Sequence, residues 1–171
     1  TPGRNSRDAR VLDVISTYLS QGKSSKLYKK LVDDKKISLQ VAAFNMDNED
    51  YSTYVILSLP MGEISLETLT SEIDEEVEKI QNELISEKDY QKLQNQFESE
   101  FVSSNSSIEG IANSLAEYYA FYDRDTDLIN KELNLYRSIT REEVKAVAQK
   151  YLSSNQRLEL YYLPDPQKED K

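Results

Sequence analysis

The sequence predicts an α+β domain in which an antiparallel sheet is covered on one face by helices. Residues 38–46 and 51–59 alternate as β-strands do, and a short polar turn separates them. Helical periodicity then continues from Ser65 to Tyr151. Because strands and helices occupy separate blocks of the chain, a layered α+β arrangement is favoured over a parallel α/β sheet.

Two helices are predicted before the hairpin. The first begins near Arg7, with Asn5 or Ser6 as its N-cap, and it ends at Gly22, a residue suited to a left-handed C-terminal position. The second runs from Lys26 to about Asp33. The apolar residues of the first helix keep helical spacing: Val11, Leu12, Ile15, Tyr18 and Leu19.

The two strands of the hairpin each present one apolar face, which we expect the helices to cover. In the first strand this face carries Leu39, Val41 and Ala43. The corresponding residues of the second strand are Tyr51, Thr53, Val55, Leu57 and Leu59. The turn 47–50 holds residues that calcium favours, but it lacks the length and glycine of an EF-hand loop, so a plain hairpin turn is predicted.

Later helices are marked by their caps. Ser86 is predicted to cap one helix, and Ser106–Glu109 and Thr140–Glu143 fit capping boxes. Residues 157–163 alternate again and are predicted to form a last strand in the same sheet, with Leu158 and Leu160 on its covered face. The first long helix carries an apolar stripe: Leu69, Ile73, Val77, Ile80 and Leu84.

These elements predict one domain over residues 1–163 and a linker or tail over residues 164–171. Three strands make a thin sheet, so we expect a further strand just before Thr1. The opening residues read as the middle of a loop, which indicates a fragment of a longer protein.

Composition excludes several classes of function. The chain has 31 acidic and 21 basic residues, a net charge of −10, and neither histidine nor cysteine. Histidine-ligated zinc, Ser-His-Asp catalysis and thiolate chemistry are therefore impossible within these residues. The negative charge argues against nucleic acid as a partner, and no apolar run reaches the roughly 20 residues of a membrane span. Nothing in the composition indicates a cellular compartment.

Two groups of charged residues have alternative interpretations. Glu72 and Glu76, like Asp74 and Glu78, lie one helical turn apart and suit a Ca²⁺ or Mg²⁺ site or an acid–base pair. They lie opposite the apolar stripe, so a solvated helix face is favoured. Five lysines between residues 26 and 36 could form a nucleic-acid site, but in a chain of net charge −10 a salt-bridged helix surface is favoured. No catalytic, cofactor-binding or metal-binding residue is predicted.

Several segments resemble, in order and spacing, the pitrilysin/insulinase zinc metallopeptidases, which include mitochondrial processing peptidase. The family pattern has a Gly-rich turn followed by Ser-Ser-Arg-Leu-Tyr; residues 18–28 keep Gly22 of the turn and carry Lys26 in place of the arginine. Further similar segments follow in the second half: Gly110–Ala112, Leu115–Ala116, Ile129, Glu132, Tyr136, Ile139–Val144, Ala148–Leu152 and Leu158–Tyr162.

The resemblance implies a half-domain that pairs with a related half-domain, so that two such subunits enclose a peptide chamber. Zinc in this family binds an inverted His-x-x-Glu-His motif in a different half-domain, which a chain without histidine cannot be. An arginine and a tyrosine that contact the substrate carbonyl fall here on Val32 and Leu39, which cannot donate hydrogen bonds. We expect Leu39 to be mostly buried and Val32 only partly covered.

The sequence thus predicts a non-catalytic accessory half-domain of a zinc metalloendopeptidase. It would pack against the zinc-bearing half-domain, in the same protein or in a partner subunit, and form part of the peptide-chamber wall. Zinc is implied for the parent protein, a zinc-dependent peptidase, whereas this chain alone is predicted to be inactive and to hold no cofactor. The alternative is a structural or interaction subunit of the same fold without a catalytic partner.

Overall fold

The computed structural model describes residues 1–163, which form an α+β fold with helices on one face of a two-stranded antiparallel sheet. The predicted tail, residues 164–171, lies outside the described residues. The elements are α1 (Arg7–Ser20), a π-helix (Tyr28–Asp34), β1 (Ser38–Met46), β2 (Thr53–Pro60), α2 (Leu66–Asn82), α3 (Glu87–Ser104), α4 (Ile108–Phe121), α5 (Leu128–Arg137), α6 (Arg141–Tyr151) and a 3₁₀ turn (Ser154–Gln156).

Side-chain caps begin five of the six α-helices. Each capping oxygen accepts the amide hydrogen three residues later, which satisfies a donor that the helix itself leaves free. The predicted capping box at Thr140 and Glu143 is confirmed. The one predicted at Ser106–Glu109 is wrong, because Ser107 is the N-cap and its partner is the amide of Gly110. The capping residues are Ser6, Ser65, Ser86, Ser107 and Thr140.

The second predicted helix is present but forms a π-helix. The Lys35 amide donates to the Lys30 carbonyl at 3.0 Å, an i→i+5 bond. Leu31 is fully buried within this helix. The next bond joins the Ile37 amide to the Leu31 carbonyl at 2.9 Å and leads the chain into β1.

The hairpin strands are confirmed, but the predicted inner face is correct only for part of β1. Val41 and Ala43 are buried, and they lie opposite Ser58 and Ile56. Directly opposed residues in antiparallel strands share a face. The inner face of β2 therefore carries its even-numbered residues, Tyr54, Ile56 and Ser58, and the predicted Thr53, Val55, Leu57 and Leu59 face outward.

The expected burial of Leu39 is wrong, since this side chain is 60% exposed. The β1–β2 register shifts between Ser38 and Gln40, which breaks the alternation at the start of β1. The Ser38 hydroxyl takes the buried place, where it lies 2.8 Å from the Ser58 hydroxyl and donates to the Leu59 carbonyl at 2.9 Å.

The predicted last strand, residues 157–163, does not form a strand. Leu158, predicted to be covered, is 82% exposed. Arg157 pairs with Asp74 of α2, and Tyr161 lines a shallow cleft with Thr70 of α2. These polar contacts hold the segment beside α2 without the backbone pairing of a strand, so the sheet has two strands within residues 1–163.

The core is built around α1, which packs against β1 and α6, while α6 also packs against α2. Helix α5 packs against α3 and α4 in the second half. Fully buried residues of α1 and its neighbours form the centre of this core: Leu12, Ile15, Leu19, Leu27, Leu31 and Ile139.

Replacing Ser20 with alanine is expected to lower the free energy of unfolding by about 2 kcal/mol. The Ser20 hydroxyl accepts the Ala43 amide hydrogen at 2.7 Å and donates to the Ala43 carbonyl at 3.1 Å. Its loss leaves two backbone groups of β1 without partners. Urea unfolding of Ser20→Ala measures the effect, with the exposed Ser99→Ala as the control; equal stability of the two variants would contradict this role.

Candidate functional site

Val32 and Leu39, onto which the resemblance places the family's substrate-binding arginine and tyrosine, carry apolar side chains. Val32 lies on the π-helix, is partly covered and packs against the core, as predicted. Leu39 lies at the irregular start of β1 with its side chain in solvent. Neither side chain can donate a hydrogen bond to a carbonyl oxygen.

Glu72 and Glu76 of α2 belong to an ion-pair network with lysines, whereas Asp74 pairs with Arg157. Lys30 Nζ lies 3.0 Å from Glu72 Oε2 and 3.4 Å from Glu76 Oε1, and Glu76 also pairs with Lys79 at 2.6 Å. Hydrogen bonds from Lys35 and Lys30 lower the pKa of Glu72. The predicted salt-bridged lysine surface is confirmed at Lys26, Lys30 and Lys35. The prediction of a solvated α2 face is wrong at Glu76, which is only 8% exposed.

A cleft of about 300 Å³ lies between α3, α4 and α5, and we call it the α3–α5 cleft. Two aromatic pairs stand in its wall. The Phe97 and Tyr136 rings stack with centroids 4.6 Å apart, and the Tyr118 and Tyr122 rings meet edge to face at 5.8 Å. The other lining residues are Glu100, Phe101, Ser104, Asn105, Ser114, Glu117, Glu132 and Leu133.

Hydrogen bonds connect this cleft to α1. The Tyr136 hydroxyl donates to Asp13 Oδ2 at 3.0 Å, and the Tyr118 hydroxyl donates to Glu132. Burial raises the pKa of Asp13 to about 7, and the negative charge of Asp47 adds to the rise. The hydrogen bond from Tyr136 opposes this rise only in part.

Within residues 1–163, no group of three or more acidic side chains is arranged to hold a metal ion. Residues 47–50 lie in the loop between β1 and β2, as predicted, but the loop also includes Tyr51, which was predicted to face inward from the second strand and is exposed. A zinc site does not fit this chain, since it has no histidine or cysteine and Glu72 and Glu76 of α2 are paired with lysines. Across the same described range, every helix is too short or too polar to cross a membrane.

Comparison with known families decides what kind of domain this is. The family described as "Peptidase M16 inactive domain" matches residues 1–97, more than half of the chain. The chain belongs to the peptidase M16 inactive domain family. The resemblance to the pitrilysin/insulinase metallopeptidases is thereby confirmed.

This M16 inactive domain is similar to named bacterial proteins. It is 28% identical over 165 residues to the protein named zinc protease PqqE of Helicobacter pylori. The alignment covers 95% of this chain and 36% of that protein. A crystal structure of a protease from Helicobacter pylori superposes with a TM-score of 0.84 at 26% identity, over 91% of this chain and 37% of the other. The chain thus spans little more than a third of either relative.

The fold also occurs in a separately crystallised domain. An inactive peptidase domain from Bordetella parapertussis superposes with a TM-score of 0.82 at 21% identity. The match covers 96% of this chain and 87% of that one. At this identity the likeness establishes the fold, and it confirms the α+β half-domain arrangement predicted from the sequence.

Restoring the family's residues at positions 32 and 39 is expected to affect stability unequally. Val32→Arg should lower the free energy of unfolding by about 1 kcal/mol, because it displaces a side chain packed on the core, whereas Leu39→Tyr should change it by less than about 0.5 kcal/mol. Thermal unfolding of both variants checks this. A large loss in Leu39→Tyr would show that Leu39 is covered, contrary to the structure.

Asp13 is expected to make the domain less stable as pH rises from about 4 to about 7. Its pKa of about 7 in the folded chain exceeds the value near 3.9 of an unfolded chain, so the folded state binds the extra proton in this window. Asp13→Asn should reduce this decline by on the order of 3 kcal/mol. Urea unfolding at pH 4 and pH 8 measures it, with the exposed Asp34→Asn as control; an unchanged pH dependence would refute this role.

Proposed function

We propose that the chain is a non-catalytic accessory half-domain of a zinc metalloendopeptidase. In this proposal it packs against the zinc-bearing half-domain and forms part of the wall of a peptide chamber. Three findings support it: membership of the M16 inactive domain family, a relative named a zinc protease that is nearly three times as long, and a chain without histidine or cysteine. The hydrolytic chemistry would then belong to the remainder of the parent protein.

The observation that carries the proposal is the uncovered outer face of the β1–β2 hairpin. Helices cover the other face, while this one is apolar, with Met46 53% exposed and Leu57 47% exposed. An exposed apolar sheet face is typical of a surface that another layer covers. We define the outer sheet face by these residues: Leu39, Phe44, Met46, Leu57 and Leu59.

The division of labour follows from the side chains present. Zinc bound in the other half-domain would activate water for attack on a peptide bond. The outer sheet face, turned toward that half-domain, would exclude water and bound the chamber. Val32 and Leu39 would contribute no hydrogen bond to the substrate carbonyl.

The apolar residues at positions 32 and 39 also favour the alternative function, a structural or interaction subunit without a catalytic partner. Such a subunit would use the outer sheet face to contact another protein. The two functions differ in the partner, because only the accessory half-domain forms a complex with a zinc-bearing half-domain.

Replacing Leu57 with glutamate is expected to abolish binding to the zinc-bearing half-domain of the parent protein. The substitution places a charge in the centre of the outer sheet face, opposite Ala42. Because Leu57 points to solvent in the isolated chain, the thermal unfolding midpoint should stay within about 2 °C of the original. Size-exclusion chromatography of the mixed half-domains measures complex formation.

Val102→Glu serves as the matched control, since Val102 is an exposed apolar residue on α3. It should leave the complex intact. A complex of unchanged strength with Leu57→Glu would refute the role of the outer sheet face. If the unmodified chain binds no zinc-bearing half-domain, the accessory function is wrong and the structural subunit remains.

A further inference from the structure

We propose that the residues preceding Thr1 in the parent protein form a third strand, which lies antiparallel to β2 along its free edge. The inference rests on the proposed function in one respect, because it takes this chain to be part of a longer protein. Two observations support it: one edge of β2 has no backbone partner, and residues 1–4 already pair with the residues just before β2.

The direction of the backbone groups shows which residues of β2 form its free edge. The Ser20 hydroxyl bonds to both the amide and the carbonyl of Ala43, so these groups of β1 point away from β2. Ala43 lies opposite Ile56, and in an antiparallel pair of this kind the backbone groups of both residues point outward. Ile56, and with it Tyr54 and Ser58, therefore turns its amide and carbonyl away from β1.

These outward-pointing groups have no backbone partner within residues 1–163. No turn, loop or terminal segment of this range forms a backbone hydrogen bond to Tyr54, Ile56 or Ser58. A row of unpaired amides and carbonyls is a template for one more strand. The opposite edge of the hairpin differs, because Ser20 of α1 bonds to it.

The first two residues pair with the end of the hairpin loop as an antiparallel strand does. The Thr1 nitrogen donates to the Ser52 carbonyl at 3.0 Å, and the Ser52 amide donates to the Thr1 carbonyl at 3.1 Å. Pro2 lies opposite Tyr51 in an antiparallel bridge. The chain therefore enters the structure already aligned with the free edge of β2.

The next two residues hold this alignment in place. The Arg4 amide donates to the Asn48 carbonyl at 3.0 Å. The two backbones approach so closely at Gly3 that a Cβ there would lie 2.1 Å from the Glu49 carbonyl oxygen. Only glycine fits such an approach, so the sequence itself is matched to the pairing.

This pairing fixes the register of the residues before Thr1. Thr1 faces Ser52, and each earlier residue faces one residue further along β2. The second, fourth and sixth residues before Thr1 then face the three residues with free backbone groups: Tyr54, Ile56 and Ser58. One segment in one register thus gives partners to all three.

The third strand widens the outer sheet face. The first, third and fifth residues before Thr1 lie opposite Thr53, Val55 and Leu57, which face outward, so their side chains share that face. The second, fourth and sixth side chains point to the helices. We therefore expect apolar residues at both sets of positions and no proline at the second, fourth or sixth, where an amide hydrogen is needed.

The test compares this chain with one extended by the ten residues that precede Thr1 in the parent protein. Amide hydrogen exchange is followed by ¹⁵N NMR at Tyr54, Ile56 and Ser58. We expect these amides to exchange at least about 100-fold more slowly in the extended chain, because each becomes hydrogen-bonded to the added strand. The amides of Val55 and Leu57 donate toward β1 and are internal controls, with slow exchange in both chains.

Contacts between α-hydrogens test the register. The third residue before Thr1 and Val55 form a pair without mutual hydrogen bonds, in which the Cα atoms lie about 4.5 Å apart. A nuclear Overhauser effect between their α-hydrogens is expected in the extended chain. A leader of ten glycine and serine residues is the matched control, because its low strand propensity should leave exchange at the free edge unchanged.

The possible outcomes separate the occupants of the edge. Unchanged exchange at Tyr54, Ile56 and Ser58 in the extended chain would overturn the proposal, as would a coding sequence with fewer than six residues before Thr1. Slow exchange already present in the 171-residue chain, with a doubled mass in light scattering, would show that a second copy occupies the edge instead.

The result is also separate from that of the half-domain pairing. Binding to the zinc-bearing half-domain is measured through Leu57→Glu, which changes a side chain of the outer sheet face and leaves the backbone edge intact. Failure of that complex would not alter the exchange rates. Failure of the third strand to form would leave the accessory function to be decided by the complex alone.

Discussion

The burial of α1 is the constraint on which the rest of the structure depends. Its apolar residues fill the space between β1 and α6, and several are completely inaccessible to solvent. Its polar residues also form hydrogen bonds with other parts of the fold. These contacts join α1 to four elements: Arg7 to Glu143 and Asp8 to Tyr151 of α6, Asp13 to Tyr136 of α5, Ser16 to Tyr54 of β2, and Ser20 to Ala43 of β1.

This arrangement places a titratable group where the two halves of the chain meet. Asp13 faces Tyr136 from α5, Arg10 from its own helix, Asp47 from the hairpin loop and Glu132 from the cleft. Its carboxylate form is disfavoured by burial, yet the Tyr136 hydroxyl needs an acceptor at this position. The buried Asp13 carboxylate therefore lowers the stability of the domain at neutral pH. The same group accepts the hydrogen bond of Tyr136, which stands in one wall of the α3–α5 cleft.

Local sequence patterns predicted the helices and the hairpin strands. Long-range contacts decided which face of β2 is buried and whether residues 157–163 form a strand. Capping residues and apolar spacing located the helices, because both signals act within a few residues. The inner face of β2 was not predictable in the same way, since its odd and even positions are both apolar: Val55, Leu57 and Leu59 against Tyr54 and Ile56. Alternation over residues 157–163 indicated a strand. A strand also needs backbone hydrogen bonds to a neighbouring strand, and this segment pairs with neither β1 nor β2.

Long-range contacts also decide the surroundings of Glu76 and of the α3–α5 cleft. Glu76 was expected in solvent from its place on α2, and it is buried because Lys30 of the π-helix reaches it from a distant part of the chain. The α3–α5 cleft joins Tyr118 of α4 to Glu132 of α5, and α5 reaches back to Asp13, which is 123 residues earlier than Tyr136. The spacing of residues along the sequence does not indicate that Asp13 and Tyr136 lie side by side. Only the fold shows that Tyr118 and Tyr136 stand in one cleft beside Glu132.

An inactive domain of this kind can lose catalytic groups without losing its fold, because none of its central contacts involves histidine, cysteine or a metal. The outer sheet face and the α3–α5 cleft share no residue and are built from different elements. The hairpin and the helices of the second half therefore present two separate surfaces. Both surfaces rest on α1, which supports the inner side of the hairpin and contacts the cleft through the hydrogen bond of Asp13 with Tyr136 and through Arg10, which lies over Tyr122.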